Sequence, residues 1–152
     1  MISLRLPLEV GNAGLNRETD LKKSIDSVIS LIINTPQHGC VADESFGFVF
    51  NNLSFENFNE HEGVVYNSTP DFEAQAEKSG LYDKKLSGSS KNLNTFAAEL
   101  CESIVKYEPR LEQVTVSMTY IREERNIYVV VKALIKETRE HYNFTNIFKI
   151  WN

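Results

Sequence analysis

Lys106-Tyr107-Glu108-Pro109-Arg110-Leu111 is the stretch where an amphipathic helix ends and a long alternating strand begins. Upstream of it, apolar residues recur at helical spacing over 95–107, which predicts a helix with one buried face. Proline disfavours the helical conformation of the residue before it, so we expect the helix to end at Glu108. Downstream, apolar and polar residues alternate over 111–121, which predicts a strand with one buried face.

Glu108 and Arg110 flank the rigid Pro109 at this corner, and two interpretations of the two charges are open. Charged side chains usually face water, so both could be solvated while Pro109 acts only as a stop signal. Alternatively, the planar guanidinium could bind a carboxylate or several backbone carbonyls at once. It would then tie the helix end to the sheet or reach into a neighbouring subunit.

Two more strands are predicted after the corner. A charged turn at 122–126 leads into a strand over 127–136 that is apolar on both faces and should therefore be central. A turn at 138–140 leads into the last strand, on which four apolar side chains share one face: Tyr142, Phe144, Phe148 and Ile150. Short connections between the strands predict an antiparallel meander.

The first half of the chain supplies a second helix. Alternation over 2–8 predicts a short N-terminal strand, which because of Pro7 should lie at an edge or end early, and 11–18 is predicted to be a polar loop. An apolar stripe over 21–33 then predicts a helix that Thr19 or Asp20 can cap. Two helices and a meander predict an α+β domain, with both helices packed on one face of the sheet.

The stretch 51–92 differs in composition from the rest of the chain. It is rich in Asn, Ser, Glu and Gly, with isolated aromatic residues, and has no strong periodic element. We predict that it is an insertion within a single domain that spans 1–152. It is either a loosely packed excursion that touches a partner or a loop folded over its own core.

Composition excludes several classes of function. The net charge of -5 and the dispersed basic residues give no support to nucleic-acid binding. No apolar run approaches the ~18 residues that a membrane span needs, and 1–10 alternates rather than forming an export signal. With only Cys40 and Cys101, we expect reduced thiols in the cytoplasm rather than a disulfide framework.

Residues that could carry chemistry are sparse. His38, His61 and His141 are far apart, and Val65 stands where a metalloprotease motif that starts at His61-Glu62 would have its second histidine. The sequence has no phosphate loop, dinucleotide fingerprint or nucleophile elbow. We therefore predict no catalytic residue, no cofactor-binding residue and no metal ligand.

The corner motif and a second patch together resemble one baseplate family. Glu108-Pro109-Arg110-Leu111 follows a helix and precedes a meander, while the first helix leads into Thr35-Pro36, Gly39 and Phe46-Gly47. In order and approximate spacing, these features are similar to TssE of type VI secretion and to the wedge subunit of contractile phage tails, historically labelled lysozyme-like. The resemblance covers about 21–48 and 95–135. The long insertion and the absence of a proline before Phe46-Gly47 depart from the family pattern.

The lysozyme label invites a test for glycoside hydrolysis, which usually needs two carboxylates across a cleft, one of them with a raised pKa. Glu99 and Glu102 are predicted on the polar side of their helix, and Glu108 has Arg110 two residues away. A neighbouring cation lowers the pKa of a carboxyl group, which is the opposite of what a general acid needs. The residues therefore favour a protein that is not an enzyme.

The resemblance implies a non-enzymatic, cytoplasmic subunit of a baseplate docked at the inner membrane. Its partners would be the wedge proteins TssF and TssG, with TssK as a further candidate, and the sheath proteins TssB and TssC. Because the family also includes an anti-adaptor that blocks a protease adaptor, a small regulatory binding protein is the alternative, and a glycoside hydrolase is third. Neighbouring genes for sheath and spike proteins would separate the first two.

The last predicted strand is the expected docking edge, because it should lie at the edge of the meander unless the N-terminal strand covers it. Between Tyr142 and Ile150 the only charged residue is Lys149 and there is no proline, so little protects the strand from pairing with another chain. This favours a strand that a partner extends by β-augmentation, as the family's sheath contact does. The residues predicted to serve protein interaction are Glu108, Pro109, Arg110, Tyr142, Phe144, Thr145 and Phe148.

Overall fold

The computed structural model describes residues 3–48, 65–68 and 93–149 of the chain. Within these ranges two helices, α1 (Leu21–Asn34) and α2 (Leu93–Tyr107), accompany a four-stranded antiparallel sheet. The α+β class predicted from the sequence is confirmed.

The main sheet has the order β5-β6-β7-β8, and each neighbouring pair is antiparallel. Its strands are β5 (Val65–Asn67), β6 (Leu111–Ile121), β7 (Asn126–Ile135) and β8 (His141–Lys149). The three-strand meander is therefore confirmed, with β7 between β6 and β8 as predicted. One irregularity interrupts the pairing of β6 with β7 between Glu112 and Thr115, where Gln113 has a φ of 52°.

The core lies between the helices and one face of the sheet. It includes buried side chains on both helices and at alternate positions of β6 and β7, among them Ile25, Ile29, Ile32, Ile33, Leu93, Phe96, Leu100, Ile104, Val116, Met118, Ile127, Val129 and Val131. On the opposite face of β7, the side chains of Tyr128, Val130 and Leu134 are only partly buried. Within the described residues, this second apolar face of β7 is thus only partly covered. The prediction that β7 is a central strand, made from its two apolar faces, is nevertheless correct.

Two local signals explain the limits of α1. The Asp20 carboxylate caps the helix by accepting hydrogen bonds from the backbone N–H groups of Lys22 (3.0 Å) and Lys23 (3.4 Å). At the other end, the Thr35 hydroxyl donates to the Leu31 carbonyl at 2.6 Å, and the backbone of Thr35 is already extended. Of the two caps predicted from the sequence, Asp20 is the one that is used.

The connection after α1 folds back onto the helix end. The Phe48 N–H donates to the Thr35 carbonyl at 2.8 Å, which places the Phe48 ring in the core at 6.2 Å from the ring of Phe96. Gly47 makes this possible, because its φ is 109° and a Cβ there would lie 2.6 Å from the carbonyl oxygen of Thr35 and 2.7 Å from that of Pro36. Glycine is therefore sterically required at the second position of the Phe46-Gly47 pair.

The N-terminal segment differs from its prediction. β1 (Ser3–Leu4) pairs with β4 (Arg17–Glu18), and β2 (Val10–Gly11) pairs with β3 (Gly14–Leu15). The predicted loop over 11–18 is therefore wrong, since these residues contribute to two small ladders. Within the described chain, the N-terminal strand does not extend the main sheet at β8.

The predicted insertion over 51–92 lies mostly outside the described residues. Its described portion, 65–68, contains β5, which pairs with β6 in the register Val65↔Thr119, Tyr66↔Met118 and Asn67↔Ser117. The expectation of a stretch without a strong element is thus wrong at this point, because three of its residues belong to the main sheet. The single-domain assignment stays a prediction.

Candidate protein-interaction site

Glu108 and Arg110 form a bidentate ion pair at the helix-to-strand corner. Arg110 Nε donates to Glu108 Oε1 and Arg110 Nη2 to Glu108 Oε2, both at 2.6 Å, and the Arg110 backbone N–H also donates to Oε1 at 3.2 Å. The Glu108 side chain is 1% exposed and that of Arg110 is 18% exposed. The carboxylate raises the pKa of Arg110. The interpretation of two solvated charges is therefore wrong.

The backbone of the corner brings these side chains together. α2 ends where the Glu108 N–H donates to the Ile104 carbonyl at 2.8 Å, and Pro109 prevents a further helical turn. The Arg110 carbonyl then accepts from the Lys136 N–H at 2.9 Å, which joins the start of β6 to the end of β7. The chain thus reverses direction within three residues, and both charged side chains lie on its inner side.

A third residue connects the corner to α1. Arg110 Nη1 donates to Ser24 Oγ at 2.9 Å, and Ser24 is itself 5% exposed. The guanidinium therefore joins α1, the end of α2 and the start of β6. Ser24 was not predicted from the sequence. The feature that could have indicated it is a small polar residue beside Ile25, at the start of the apolar stripe of α1.

Tyr142 makes a further polar contact, which joins β8 to α1. Its hydroxyl donates to Asp26 Oδ1 at 2.5 Å, and the residue is 3% exposed. Burial, and then the hydrogen bond to Asp26, raise the pKa of Tyr142 above its ordinary range. α1 is thus fixed by polar contacts to both the corner and β8.

The predicted interaction residues fall into three groups. Glu108 and Arg110 have their described contacts inside the domain, whereas Pro109 is exposed. Tyr142, Phe144 and Phe148 lie on the helix-covered face of β8, and Phe148 packs 6.1 Å from the ring of Phe48. Thr145 lies on the open face and is exposed. Their role in binding a partner stays a prediction.

β8 is the outer strand of the sheet among the described residues, and the direction of its N–H groups follows from its register. The Ile135 N–H donates to the Glu140 carbonyl at 2.9 Å, so these two residues form a hydrogen-bonded pair. Pairs of this kind alternate along an antiparallel ladder, and no shift interrupts the β7–β8 register. Phe144 and Asn146 therefore bond inward to β7.

The residues that alternate with these along β8 point their backbone groups outward. By the same alternation, the N–H and C=O groups of Asn143, Thr145 and Ile147 face away from β7. Their side chains all lie on the open face of the sheet and are uncharged. Before Lys149, which is the next outward residue, the edge therefore offers three consecutive outward positions with no charge or proline to block a new strand.

A second polar cluster joins the loop before Phe46 to the end of α2. Ser45 Oγ lies 2.7 Å from Asp43 Oδ1, Tyr107 Oη and Lys106 Nζ. Hydrogen bonds from Ser45 and Tyr107 lower the pKa of Asp43 to about 2, and Tyr107 raises the pKa of Lys106. Lys106 is therefore held in its protonated form and is unsuited to activate the Ser45 hydroxyl as a base.

Of the three carboxylates considered for sugar hydrolysis, Glu99 and Glu102 lie at one cavity, one turn apart on the same helix, and Glu108 lies elsewhere. A cavity of about 300 Å³ beside α2 is lined by Glu99 and Glu102 together with Ser45, Lys106 and Tyr107. Glu108 is not among its lining residues, and its carboxylate is bound by Arg110. Across the described ranges, no group of three or more His, Cys, Asp or Glu side chains could hold a metal ion. Neither described helix is long and apolar enough to cross a membrane.

The fold is similar to that of a tail protein. A crystal structure from Geobacter sulfurreducens, provisionally named a tail lysozyme, matches with a TM-score of 0.59 over 89% of this chain and 96% of that chain. The two sequences are 17% identical, so the likeness concerns the fold alone. No protein-family model and no curated protein matches the sequence. The chain therefore shares its overall fold with that tail protein.

The corner yields a prediction about stability. Replacement of Arg110 by Ala should lower the free energy of unfolding by about 3–5 kcal/mol, because the buried Glu108 carboxylate loses its partner. Arg139→Ala is the matched control: it breaks the 2.5 Å ion pair with Glu112, but the Arg139 side chain is 72% exposed, and the expected cost is about 0–1 kcal/mol. Urea unfolding of the isolated chain measures both. Equal stability of the two variants, with loss of partner binding in Arg110→Ala alone, would show that Arg110 serves an interface instead.

Proposed function

We propose that this chain is a structural component of the baseplate of a contractile tail or injection machine and that it acts without catalysis. The observation that carries the proposal is the open edge of β8, with its outward N–H groups at Asn143, Thr145 and Ile147. The likeness of the fold to that of the Geobacter tail protein supports the same class of protein.

The proposed mechanism is β-augmentation. An extended segment of a partner would pair with the outward groups of β8, so that main-chain hydrogen bonds provide affinity and side chains provide specificity. The strand is well supported for this task, because Tyr142 bonds it to Asp26 of α1 and the Arg110–Ser24 contact fixes α1 to the corner. A docking edge held on rigid elements loses little entropy when the partner binds.

The finer proposal is a TssE-like subunit of a type VI secretion baseplate. The ordered set of Glu108-Pro109-Arg110, the first helix and Phe46-Gly47 supports this assignment by resemblance. In this proposal the chain packs on the wedge proteins TssF and TssG, with TssK as a further contact, and its β8 edge receives a strand of the TssB–TssC sheath. The assembly would lie on the cytoplasmic side of the inner membrane.

Proline substitutions along β8 test the docking edge. Asn143→Pro and Thr145→Pro should leave the domain folded but abolish sheath binding, because they remove N–H groups that point outward. Phe144→Pro and Asn146→Pro should destabilise the domain by about 1–3 kcal/mol, because each leaves a ladder carbonyl of β7 without its donor. Thermal melts and co-purification with TssB–TssC measure the two effects.

Matched alanine variants separate the backbone from the side chain. Asn143→Ala and Thr145→Ala keep the outward N–H groups, so both should still bind the sheath. If all four proline variants behave alike, or if Thr145→Pro binds as well as Thr145→Ala, then β8 is not the docking edge.

The absence of catalysis is tested separately. Purified protein should release no products from peptidoglycan or chitin oligomers, because Glu108 is bound by Arg110, and Glu99 and Glu102 lie one turn apart on α2 rather than across a cleft from each other. The assay is product release followed by chromatography over several hours. Sustained turnover that is lost in Glu99→Gln, Glu102→Gln or Glu108→Gln would contradict the proposal.

A further inference from the structure

A groove opens beside Phe144 of β8, on the helix side of the sheet. It has a volume of about 550 Å³ and lies between α1, the N-terminal segment at Leu6 and Pro7, and the ring of Phe144. Leu31 of α1 contributes to its wall and is 48% exposed, although it is a large aliphatic side chain. The groove therefore exposes apolar surface directly beside the strand that is proposed to bind a partner.

The polar side chains of α1 that line this groove include Asp26, Ser27 and Asn34, and each has a hydrogen-bond partner within the domain. Asp26 Oδ1 accepts from the Tyr142 hydroxyl at 2.5 Å. The Ser27 hydroxyl donates to the Lys23 carbonyl at 2.9 Å, and the Asn34 amide donates to the Ser30 carbonyl at 2.8 Å. Their donor groups are directed at the helix backbone. The surface offered to an incoming side chain is thus mainly that of Leu31, Phe144 and the N-terminal segment.

The register of β8 says which side chains of an added strand would reach this groove. Phe144 faces the helices, whereas Asn143 and Thr145 lie on the open face and present the outward N–H groups. Side chains of a strand alternate between its two faces. In a strand added to β8, the residue opposite Phe144 would therefore stand at the mouth of the groove, and its neighbours would lie beside Asn143 and Thr145.

We infer that the groove selects a large apolar side chain on the helix side of the partner strand. This inference rests on the proposed function, because it needs a strand paired to β8. The partner segment is then an extended chain with leucine, isoleucine or methionine at the position opposite Phe144 and polar residues at the two flanking positions. The backbone groups of the β8 edge can pair with any extended strand, and the groove selects strands with a large apolar side chain opposite Phe144.

A tethered probe strand tests the inference. The full chain is extended at its C-terminus by a flexible Gly/Ser linker and a strand of threonines with one guest residue, either leucine or asparagine, which have similar size. NMR contacts between the probe backbone and the Thr145 amide give the docked fraction. We expect the leucine guest to raise the ratio of docked to undocked probe by about tenfold over asparagine, with its methyl groups in contact with Phe144.

Two variants of the chain serve as test and control. Leu31→Asn should bring the leucine and asparagine guests close to equal docking, whereas Val105→Asn should keep the tenfold difference, because Val105 is an exposed aliphatic residue of α2 that does not line this groove. Equal docking of the two guests in the unmodified chain would overturn the selection and leave strand pairing intact. No docking of either guest would overturn both the selection and the proposed use of β8.

Discussion

The Glu108–Arg110 ion pair is the interaction on which the rest of this structure depends. One fully buried carboxylate is neutralised by a guanidinium that also reaches Ser24, so the end of α2, the start of β6 and α1 share one anchoring point. A buried charge is tolerated only when it is paired and hydrogen-bonded, which this geometry achieves with two contacts of 2.6 Å. The hydrogen bond between Tyr142 and Asp26 then fixes β8 to α1.

This arrangement connects the buried ion pair to the exposed edge of β8. With both helices on one face of the sheet, β8 is held along its inner side while its outer backbone groups stay unpaired among the described residues. The residues that stabilise the corner are therefore distinct from those that would contact a partner. In this account Glu108 and Arg110 act as positioning residues for an edge whose binding groups are the backbone atoms of Asn143, Thr145 and Ile147.

Long periodic elements could be predicted from the sequence, whereas short or tertiary features could not. α2, β6 and β8 have nine or more residues and a clear period, and their limits follow from Pro109 and from the charged turns. The two- and three-residue strands, β1 to β5, are too short to show alternation. The Arg110–Ser24 contact joins residues 86 apart and arises only when α1 packs against the corner. Alternation placed Tyr142, Phe144 and Phe148 on one face, but it could not say that this face meets the helices.

Residue-resolved amide hydrogen exchange along β8, with and without the sheath proteins, tests the central claim most directly. In the isolated chain, the account predicts slow exchange at Phe144 and Asn146 and fast exchange at Asn143, Thr145 and Ile147. Addition of TssB–TssC should then slow exchange at the three outward positions. Uniformly slow exchange in the isolated chain would mean that the edge is already covered. Fast exchange that persists in the complex would mean that the partner binds elsewhere, and either result would contradict the account.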